Sequence, residues 1–216
     1  MSLGEGNYPE QKRFGGASLM GNSATVPSLG AEQLQQHMAT SVFSDDEVHA
    51  LWSHFHVISN GDEYIDRKKF QAALMFRDTA LLDRIFRVVD QDDNNQIDFG
   101  EYLSCVSTIS HKMAQETKLE FSFKIYDFDS DGFISSSDLT TVLTVTLKEH
   151  DLLVTNADID EIVELTIKEA QPAIPGLISY PEYRSLVLSR PHLLTHFTIN
   201  ISNIISEYSA HTGKSF

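Results

Sequence analysis

Cysteine and basic residues are scarce in this sequence of 216 residues. Cys105 is the only cysteine, so a disulfide within the chain is excluded and a reducing compartment is expected. Lys and Arg number 16 against 31 Asp and Glu, which gives a formal net charge of −15. Binding to nucleic acid needs a basic surface that faces the phosphates, so this charge argues against that class. It suits a protein that binds divalent cations or basic segments of a partner.

Long hydrophobic runs are also missing. No stretch approaches the roughly 18 to 20 apolar residues that a membrane-spanning helix needs. The first thirty residues lack the apolar core of a secretory signal. We therefore expect a cytoplasmic protein without a transmembrane segment. The glycosylation motif Asn200-Ile201-Ser202 is then expected to be accidental.

The N-terminal residues 1–42 are rich in Gly, Ser, Gln and Ala and show no sustained periodicity. Such a composition buries little apolar surface, so the sequence predicts a largely disordered segment. Periodicity begins after Ser44, which is followed by three acidic residues and resembles a helix N-cap. From there amphipathic stretches alternate with polar loops.

Four isoleucines recur along the rest of the chain, each in a polar loop between two amphipathic stretches. They are Ile65, Ile97, Ile134 and Ile178. An EF-hand consists of a helix, a calcium loop of twelve residues and a second helix. A β-branched residue at loop position 8 pairs with the neighbouring loop through a short β-bridge, and the four isoleucines fit that position. The repeat therefore predicts four EF-hands.

The predicted fold is all-α, with four EF-hand units paired in two lobes and short β-bridges between their loops. The first lobe is expected to span residues 43–112 and the second residues 113–190. A terminal helix is expected in residues 191–216, where apolar residues recur at helical spacing. This helix either finishes the core or shields a hydrophobic groove until a partner arrives, and both alternatives stay open.

The second loop, residues 90–101, has an oxygen donor at every calcium-ligand position. Calcium takes about seven oxygens, from side chains at positions 1, 3, 5 and 12, a carbonyl at 7 and often a water at 9. The corresponding residues are Asp90, Asp92, Asn94, Gln96 through its carbonyl, Asp98 and Glu101. Asn95 replaces the glycine expected at position 6, where φ is positive. We expect a competent site, weakened by up to about 1 kcal/mol.

The third loop, residues 127–138, offers a similar donor set with Gly132 at the turn. The ligand positions carry Asp127, Asp129, Asp131, Phe133 through its carbonyl, Ser135 and Asp138. Asp138 stands where glutamate is usual and is one methylene shorter, so two-oxygen coordination requires the loop to close further. We expect this site to hold Mg²⁺ at rest or to bind Ca²⁺ more weakly than the second loop.

The first and fourth loops lack ligands. The first runs from His56 to Lys69, or starts at Ile58 in a register of twelve residues, and ends in either case on a lysine that cannot bind a cation. The fourth begins at Gln171 and has no acid at positions 1, 3 and 5, although it keeps Glu182 at position 12. We expect both loops to be structural partners of the competent ones, without bound calcium.

An N-myristoylation pattern occurs inside the chain, at Met20-Gly21-Asn22-Ser23-Ala24-Thr25. Acylation needs a glycine at the exposed N-terminus, so either the match is chance or Met20 is the operative start of translation. Both alternatives stay open. In the second case a single acyl chain on Gly21 would give only weak, peripheral anchoring at a membrane.

Two segments carry a resemblance to a known family: LLDRIFRVVDQDDNNQIDFGEYLSCVS from Leu81 and KLEFSFKIYDFDSDGFISSSDL from Lys118. They resemble the calcineurin B-like EF-hand superfamily, and the likeness extends over about residues 44–208. That group includes calcineurin B regulatory subunits, plant calcineurin B-like sensors and calcium-and-integrin-binding proteins. The MGNSA motif looks like the first of these, and the tail after Pro191 looks like the plant sensors. Asp138 is similar to the integrin-binding branch.

The resemblance implies a calcium sensor that regulates a partner and is not itself an enzyme. The expected partner is an amphipathic helix of a protein phosphatase catalytic subunit or a protein kinase, held in a hydrophobic groove. A calcium buffer and a calcium-independent scaffold remain as alternatives. An enzyme is the weakest alternative, because the nine histidines show no zinc-ligand spacing.

Overall fold

Helices make up nearly all the regular structure in this computed structural model, which describes residues 28–74, 80–149 and 154–190. The helices are α1 Ala31–Thr40, α2 Asp45–Ile58, α3 Arg67–Leu74, α4 Ala80–Val89, α5 Phe99–Ile109, α6 Gln115–Tyr126, α7 Ser136–Glu149, α8 Asn156–Ala170 and α9 Tyr180–Leu188. The strands are β1 Phe133–Ser135 and β2 Leu177–Ser179. The prediction of an all-α fold is confirmed.

Capping boxes set where several of these helices begin. Ser44 precedes α2, where its N–H donates to Glu47 Oε2 at 2.9 Å and its hydroxyl accepts from the Glu47 N–H at 3.5 Å. The predicted N-cap at Ser44 is confirmed. Asp98 and Glu101 form the same motif at α5, with the Glu101 N–H donating to Asp98 Oδ1 at 2.8 Å. These two residues are positions 9 and 12 of the second loop, so predicted ligands also start the exit helix.

The four loop isoleucines pair as the repeat predicts. Ile65 and Ile97 form an isolated antiparallel bridge. Ile134 and Ile178 face each other where β1 and β2 pair antiparallel. Each of the four side chains is at most 2% exposed. A loop without metal ligands is therefore joined to a loop with a full donor set in both halves of the chain.

Each pair of loops has its own hydrophobic core. The first core contains the buried residues Leu29, Phe43, Val48, Leu51, Phe55, Ile65, Phe86, Val89, Ile97, Phe99, Leu103 and Val106. The second contains Leu119, Phe123, Ile134, Ile178, Tyr183 and Val187. The two halves meet where α4 packs against α6 and α7 and where α5 packs against α6.

The N-terminal part of the chain is more ordered than predicted. Residues 31–40 form α1, which packs against α2 and α5, so the expectation of disorder is wrong for this stretch. Leu29 is buried and Leu34 packs against the first core, and the His37 ring meets the Phe99 ring edge-on with centroids 4.8 Å apart. The stretch consists largely of good helix formers, and these apolar contacts stabilise a helix that would be marginal as an isolated segment of ten residues.

Other expectations fall outside the residues that the structure describes. These include the order of residues 1–27, which contain the motif at Gly21, and the terminal helix in 191–216. Among the helices of the described ranges, the longest has 15 residues, and none combines the length and apolar character needed to cross a membrane.

Candidate metal centre

Three carboxylates converge in the second loop. One oxygen each from Asp90, Asp92 and Glu101 lies within 4.8 Å of the others. Asp90 follows directly on the end of α4, whereas Glu101 lies in the first turn of α5, so the triad joins the two helices of the unit. Asp90 and Glu101 are 4% and 9% exposed. Burial concentrates negative charge here, as a cation site requires.

The backbone of this loop folds around the Asp90 side chain. Its Oδ1 accepts from the Asn94 N–H at 3.1 Å and its Oδ2 from the Asn95 N–H at 2.8 Å. Asn95 has a φ of +62°, whereas Gly132 has +89° at the same position of the third loop. The expectation that Asn95 makes the left-handed turn is confirmed, and asparagine tolerates this region better than most side chains.

Glu101 closes the loop from its other end. Its Oε1 accepts from the Gln91 N–H at 2.7 Å and its Oε2 from the Asp98 N–H at 3.0 Å. Burial raises the pKa of Glu101, as does the charge of Asp98, while the backbone hydrogen bonds lower it. The carboxylate thus reaches both the start of the loop and the cap of α5, where a ligand at position 12 has to be.

The third loop gathers a different trio. Oxygens of Asp127, Asp129 and Asp131 lie within 4.8 Å of one another. Burial raises the pKa of Asp127, while the Gly132 N–H and the nearby charge of Arg84 lower it. The side chains of positions 1, 3 and 5 are therefore already close together in this loop.

Asp138, at position 12, does not belong to that trio. Its Oδ1 accepts from the Phe128 N–H at 3.2 Å, and its Oδ2 accepts from the N–H and hydroxyl of Ser135 at 2.8 and 2.6 Å. In the second loop the longer Glu101 is one of the three converging groups. The two trios therefore draw on different loop positions, 1, 3 and 12 in the second loop and 1, 3 and 5 in the third. Metal binding by the individual residues of both loops stays a prediction.

A lysine side chain supplies a positive charge within the first loop. The Lys69 ammonium group forms an ion pair with the Asp62 carboxylate and donates to the Tyr64 carbonyl at 3.4 Å. In the register that starts at Ile58, Lys69 is position 12. Asp62 and Tyr64 are then the ligand positions 5 and 7. The structure fits that register, because α2 continues to Ile58 and so passes beyond His56. A tethered ammonium group therefore neutralises the loop oxygens that would otherwise face a metal.

The fourth loop keeps its shape through Glu182. Its Oε1 accepts from the Ala173 N–H at 2.6 Å and its Oε2 from the Ser179 N–H at 2.8 Å. Gln171 and Gly176 supply positive φ values of 49° and 83°. Position 12 thus holds the backbone as in the second and third loops, although positions 1, 3 and 5 offer no carboxylates.

Two residues at these loops could not be assigned a role from the sequence. Lys69 was recognisable only as a missing ligand, since its pairing with Asp62 depends on how the loop folds. Arg84 lies on α4, yet its guanidinium donates to the Lys124 carbonyl at 2.8 Å and to the Ser130 hydroxyl at 2.7 Å. A single basic residue in an amphipathic helix normally points to solvent, so helical periodicity could not identify this contact with the third loop.

Comparison with known proteins identifies relatives along most of the chain. No protein-family model matches it. The type 1 calcineurin B subunit of Dictyostelium discoideum is 31% identical over 184 residues, which are 85% of this chain and 99% of that protein. The calcineurin B subunit of Schizosaccharomyces pombe is 34% identical over 155 residues, covering 69% and 85% of the two chains. The type 2 calcineurin B subunit of Bos taurus is 29% identical over 180 residues, covering 82% and 99%.

These relatives cover between 69% and 85% of the chain and confirm the resemblance inferred from the sequence. They are named as calcineurin B subunits, which supports a regulatory chain and confirms the prediction that it is not an enzyme. The two acidic loops and the shared sequence together lead to one assignment: the chain belongs to the calcineurin B-like EF-hand superfamily.

Proposed function

We propose that this chain is a Ca²⁺-binding regulatory subunit of a protein phosphatase. The observation that carries the proposal is the pair of carboxylate trios, each within 4.8 Å, in two successive loops of the same repeat. Like charges held so close repel one another, and this repulsion favours binding of a divalent cation. Ligand sets made only of oxygen select hard cations such as Ca²⁺ and Mg²⁺.

Two sets of residues would hold the ions. The second loop contributes Asp90, Asp92, Asn94, Asp98 and Glu101 with the carbonyl of Gln96, and the third contributes Asp127, Asp129, Asp131, Ser135 and Asp138 with the carbonyl of Phe133. A bound ion would add positive charge at the start of each exit helix. Since the carboxylates of position 12 belong to α5 and α7, ligation there would bias the angle between the two helices of each unit.

The partner is proposed from the family and from charge. Relatives named as calcineurin B subunits favour a phosphatase catalytic subunit over the kinase alternative. The net charge of −15 favours a target helix whose apolar stripe is flanked by basic residues. Calcium would then act by changing how well the paired helices accept that amphipathic segment.

Titration calorimetry with Ca²⁺ tests the metal part. The unaltered chain should bind two ions, Glu101→Gln one, and Glu101→Gln combined with Asp131→Ala none. Glu164→Gln on α8 removes the same charge from an exposed position and should still bind two. A single bound ion in the unaltered chain, or two in Glu101→Gln, would contradict the assignment.

The regulatory part is tested by co-purification with the calcineurin catalytic subunit of the same organism, in Ca²⁺ and in EGTA. We expect binding that strengthens with Ca²⁺ and is lost in the double variant. Equal binding in both conditions would indicate a constitutive scaffold. No binding, together with no calcium-induced increase in the fluorescence of a hydrophobic dye, would indicate a buffer.

A further inference from the structure

Arg84 is a charged side chain buried between the two halves of the molecule. It lies on α4, the helix that leads into the second loop, and only 8% of the residue is exposed. All three of its guanidinium nitrogens donate, two of them to the Lys124 carbonyl and the third to the Ser130 hydroxyl. Both acceptors belong to the other half, so Arg84 ties the second unit to the third.

The Lys124 carbonyl needs this donor because it lies in the last turn of α6. The Asp127 N–H donates to the Phe123 carbonyl at 2.9 Å, which is the last helical bond before the third loop. The next N–H in line for Lys124, that of Phe128, donates instead to Asp138 at 3.2 Å. Arg84 thus satisfies a carbonyl left open by the end of the helix and places a positive charge at its C-terminus.

The Ser130 contact brings Arg84 into the third loop itself. Ser130 lies at loop position 4 with a φ of +62°, between the ligand positions Asp129 and Asp131. Burial lowers the pKa of Arg84, and the charges of Asp127, Asp138 and Asp129 raise it, although an arginine remains charged in either case. The guanidinium therefore bonds to a side chain of the loop and lies in the field of the loop carboxylates.

Arg84 is also connected to the second loop, through the helix on which it lies. Arg84 precedes Asp90 by six residues along one continuous helix, a distance of about 9 Å. The Asp90 N–H donates to the Phe86 carbonyl at 2.9 Å, so the first ligand position is still held by α4. A change in the direction of α4 when the second loop closes would move the Arg84 guanidinium, and with it the end of α6 and Ser130.

We propose that Arg84 is the residue that couples the two metal sites, so that occupation of one changes the affinity of the other. The inference rests on the proposed Ca²⁺ binding by both loops. The second loop begins where α4 ends, and the third loop begins where α6 ends. Arg84 lies on the first of these helices and bonds to the end of the second, so its three hydrogen bonds form only when the two helices are correctly placed relative to each other. By linkage, the effect is equal in both directions.

The coupling factor is obtained by calorimetry with Ca²⁺ alone. It is the overall two-ion binding constant of the full chain, divided by the product of the one-site constants of Glu101→Gln and Asp131→Ala. Asp131→Ala removes a ligand position of the third loop and leaves Asp127 and Ser130 in place. We expect a factor that differs from 1 by at least about fivefold in the unaltered chain, a typical size for coupled sites.

The same three measurements are then repeated in an Arg84→Met background, where the factor should fall to within about twofold of 1. Arg87→Met is the matched control, because Arg87 lies one turn further along α4 and is exposed, and its removal should leave the factor unchanged. Arg84→Lys keeps the charge but cannot reach both acceptors, so it should also lose the coupling. If Arg84→Met does not fold, as judged by circular dichroism, Arg84→Lys and Ser130→Ala give the answer.

A factor near 1 in the unaltered chain would overturn the proposal, and so would an unchanged factor in folded Arg84→Met or Arg84→Lys. An equal loss in Arg87→Met would overturn it too, because the effect would then be one of general charge. Failure of the chain to bind Ca²⁺ at all would instead overturn the proposed function and the coupling with it.

A second readout is hydrogen exchange at Gly132, whose N–H donates to Asp127 at 3.1 Å. The rate of this exchange should change in Asp131→Ala when Ca²⁺ fills the second loop, and should not change in Asp131→Ala with Arg84→Met.

Discussion

Ile65 and Ile97 exchange both of their backbone hydrogen bonds, with N···O distances of 2.8 and 2.9 Å. The bridge joins a loop that ends in Lys69 to a loop that ends in Glu101. Both side chains also belong to the first hydrophobic core, so one pair of residues links loop geometry to packing. The unliganded loop is thus part of the framework on which the second loop depends.

Replacing Ile65 with alanine should test that dependence. The side chain is 2% exposed, and truncating a buried isoleucine typically costs 2 to 5 kcal/mol, so we expect a loss of about 3 kcal/mol in the free energy of unfolding. Urea titration of the calcium-free protein measures this. Ile162→Ala is the control, because Ile162 is 42% exposed and its loss should cost under about 0.5 kcal/mol. Equal effects of the two changes would contradict the role of the bridge.

The ion pair of Lys69 with Asp62 should stabilise the folded first loop without a bound metal ion. Lys69→Gln removes the tethered cation, and we expect a loss of up to about 1 kcal/mol in stability because Asp62 is 62% exposed. The Ca²⁺ affinity of the second loop should fall as well, since its partner loop becomes less ordered. Calorimetry and urea unfolding measure the two effects. Lys68→Gln removes the same charge from the adjacent exposed position, and a similar fall in affinity there would exclude a specific role for Lys69.

The length of the side chain at position 138 should set the ion preference of the third loop. Asp138→Glu restores the missing methylene, and we expect Ca²⁺ affinity at this loop to rise about tenfold, which corresponds to about 1.4 kcal/mol. Competition by millimolar Mg²⁺ should weaken at the same time. Titration calorimetry in the Glu101→Gln background isolates this loop. Equal Ca²⁺ affinity of the two loops in the unaltered chain, with and without Mg²⁺, would refute the distinction between them.

His54 should make stability depend on pH. Burial lowers its pKa from 6.5, and its Nδ1 lies 2.8 Å from the Tyr102 hydroxyl, whose own pKa is raised by burial so that it stays uncharged. The unfolded chain then binds a proton more readily than the folded one as the pH falls through 6.5, so stability is lost in that direction. Each unit of pKa difference contributes about 1.4 kcal/mol.

The measurement is the urea midpoint between pH 8 and pH 5, in the unaltered chain and in His54→Gln, which keeps a hydrogen-bonding side chain that does not titrate. The fall in stability on acidification should be smaller in His54→Gln. An identical pH dependence in both proteins would show that His54 is not the group responsible.

Local sequence patterns were sufficient to predict the structure of the loops. The four isoleucines, the turn at Asn95 and the N-cap at Ser44 depend on residues within a dozen positions, where spacing and backbone preference decide the structure. The convergence of Asp90, Asp92 and Glu101 follows from the same short range.

The other features of the fold depend on contacts between segments that are far apart in the sequence. The helix over residues 31–40 contains good helix formers, but ten residues alone are marginal, and its packing against α2 and α5 could not be read from its composition. Arg84 meets Ser130 across 46 residues of sequence, at the point where two separately predicted units pack together. Periodicity identifies the face of a helix but not the neighbour that covers it.

The amino-acid sequence by itself determined which loops have the oxygen donors for a divalent cation and which do not, because a metal loop is a local arrangement of about twelve residues. Only the tertiary structure decided how the two halves of the chain are connected, through the hydrogen bonds of the buried Arg84 to Lys124 and Ser130. These contacts arise from the packing of whole helices, and the energy of packing depends on partners that no single stretch of sequence specifies.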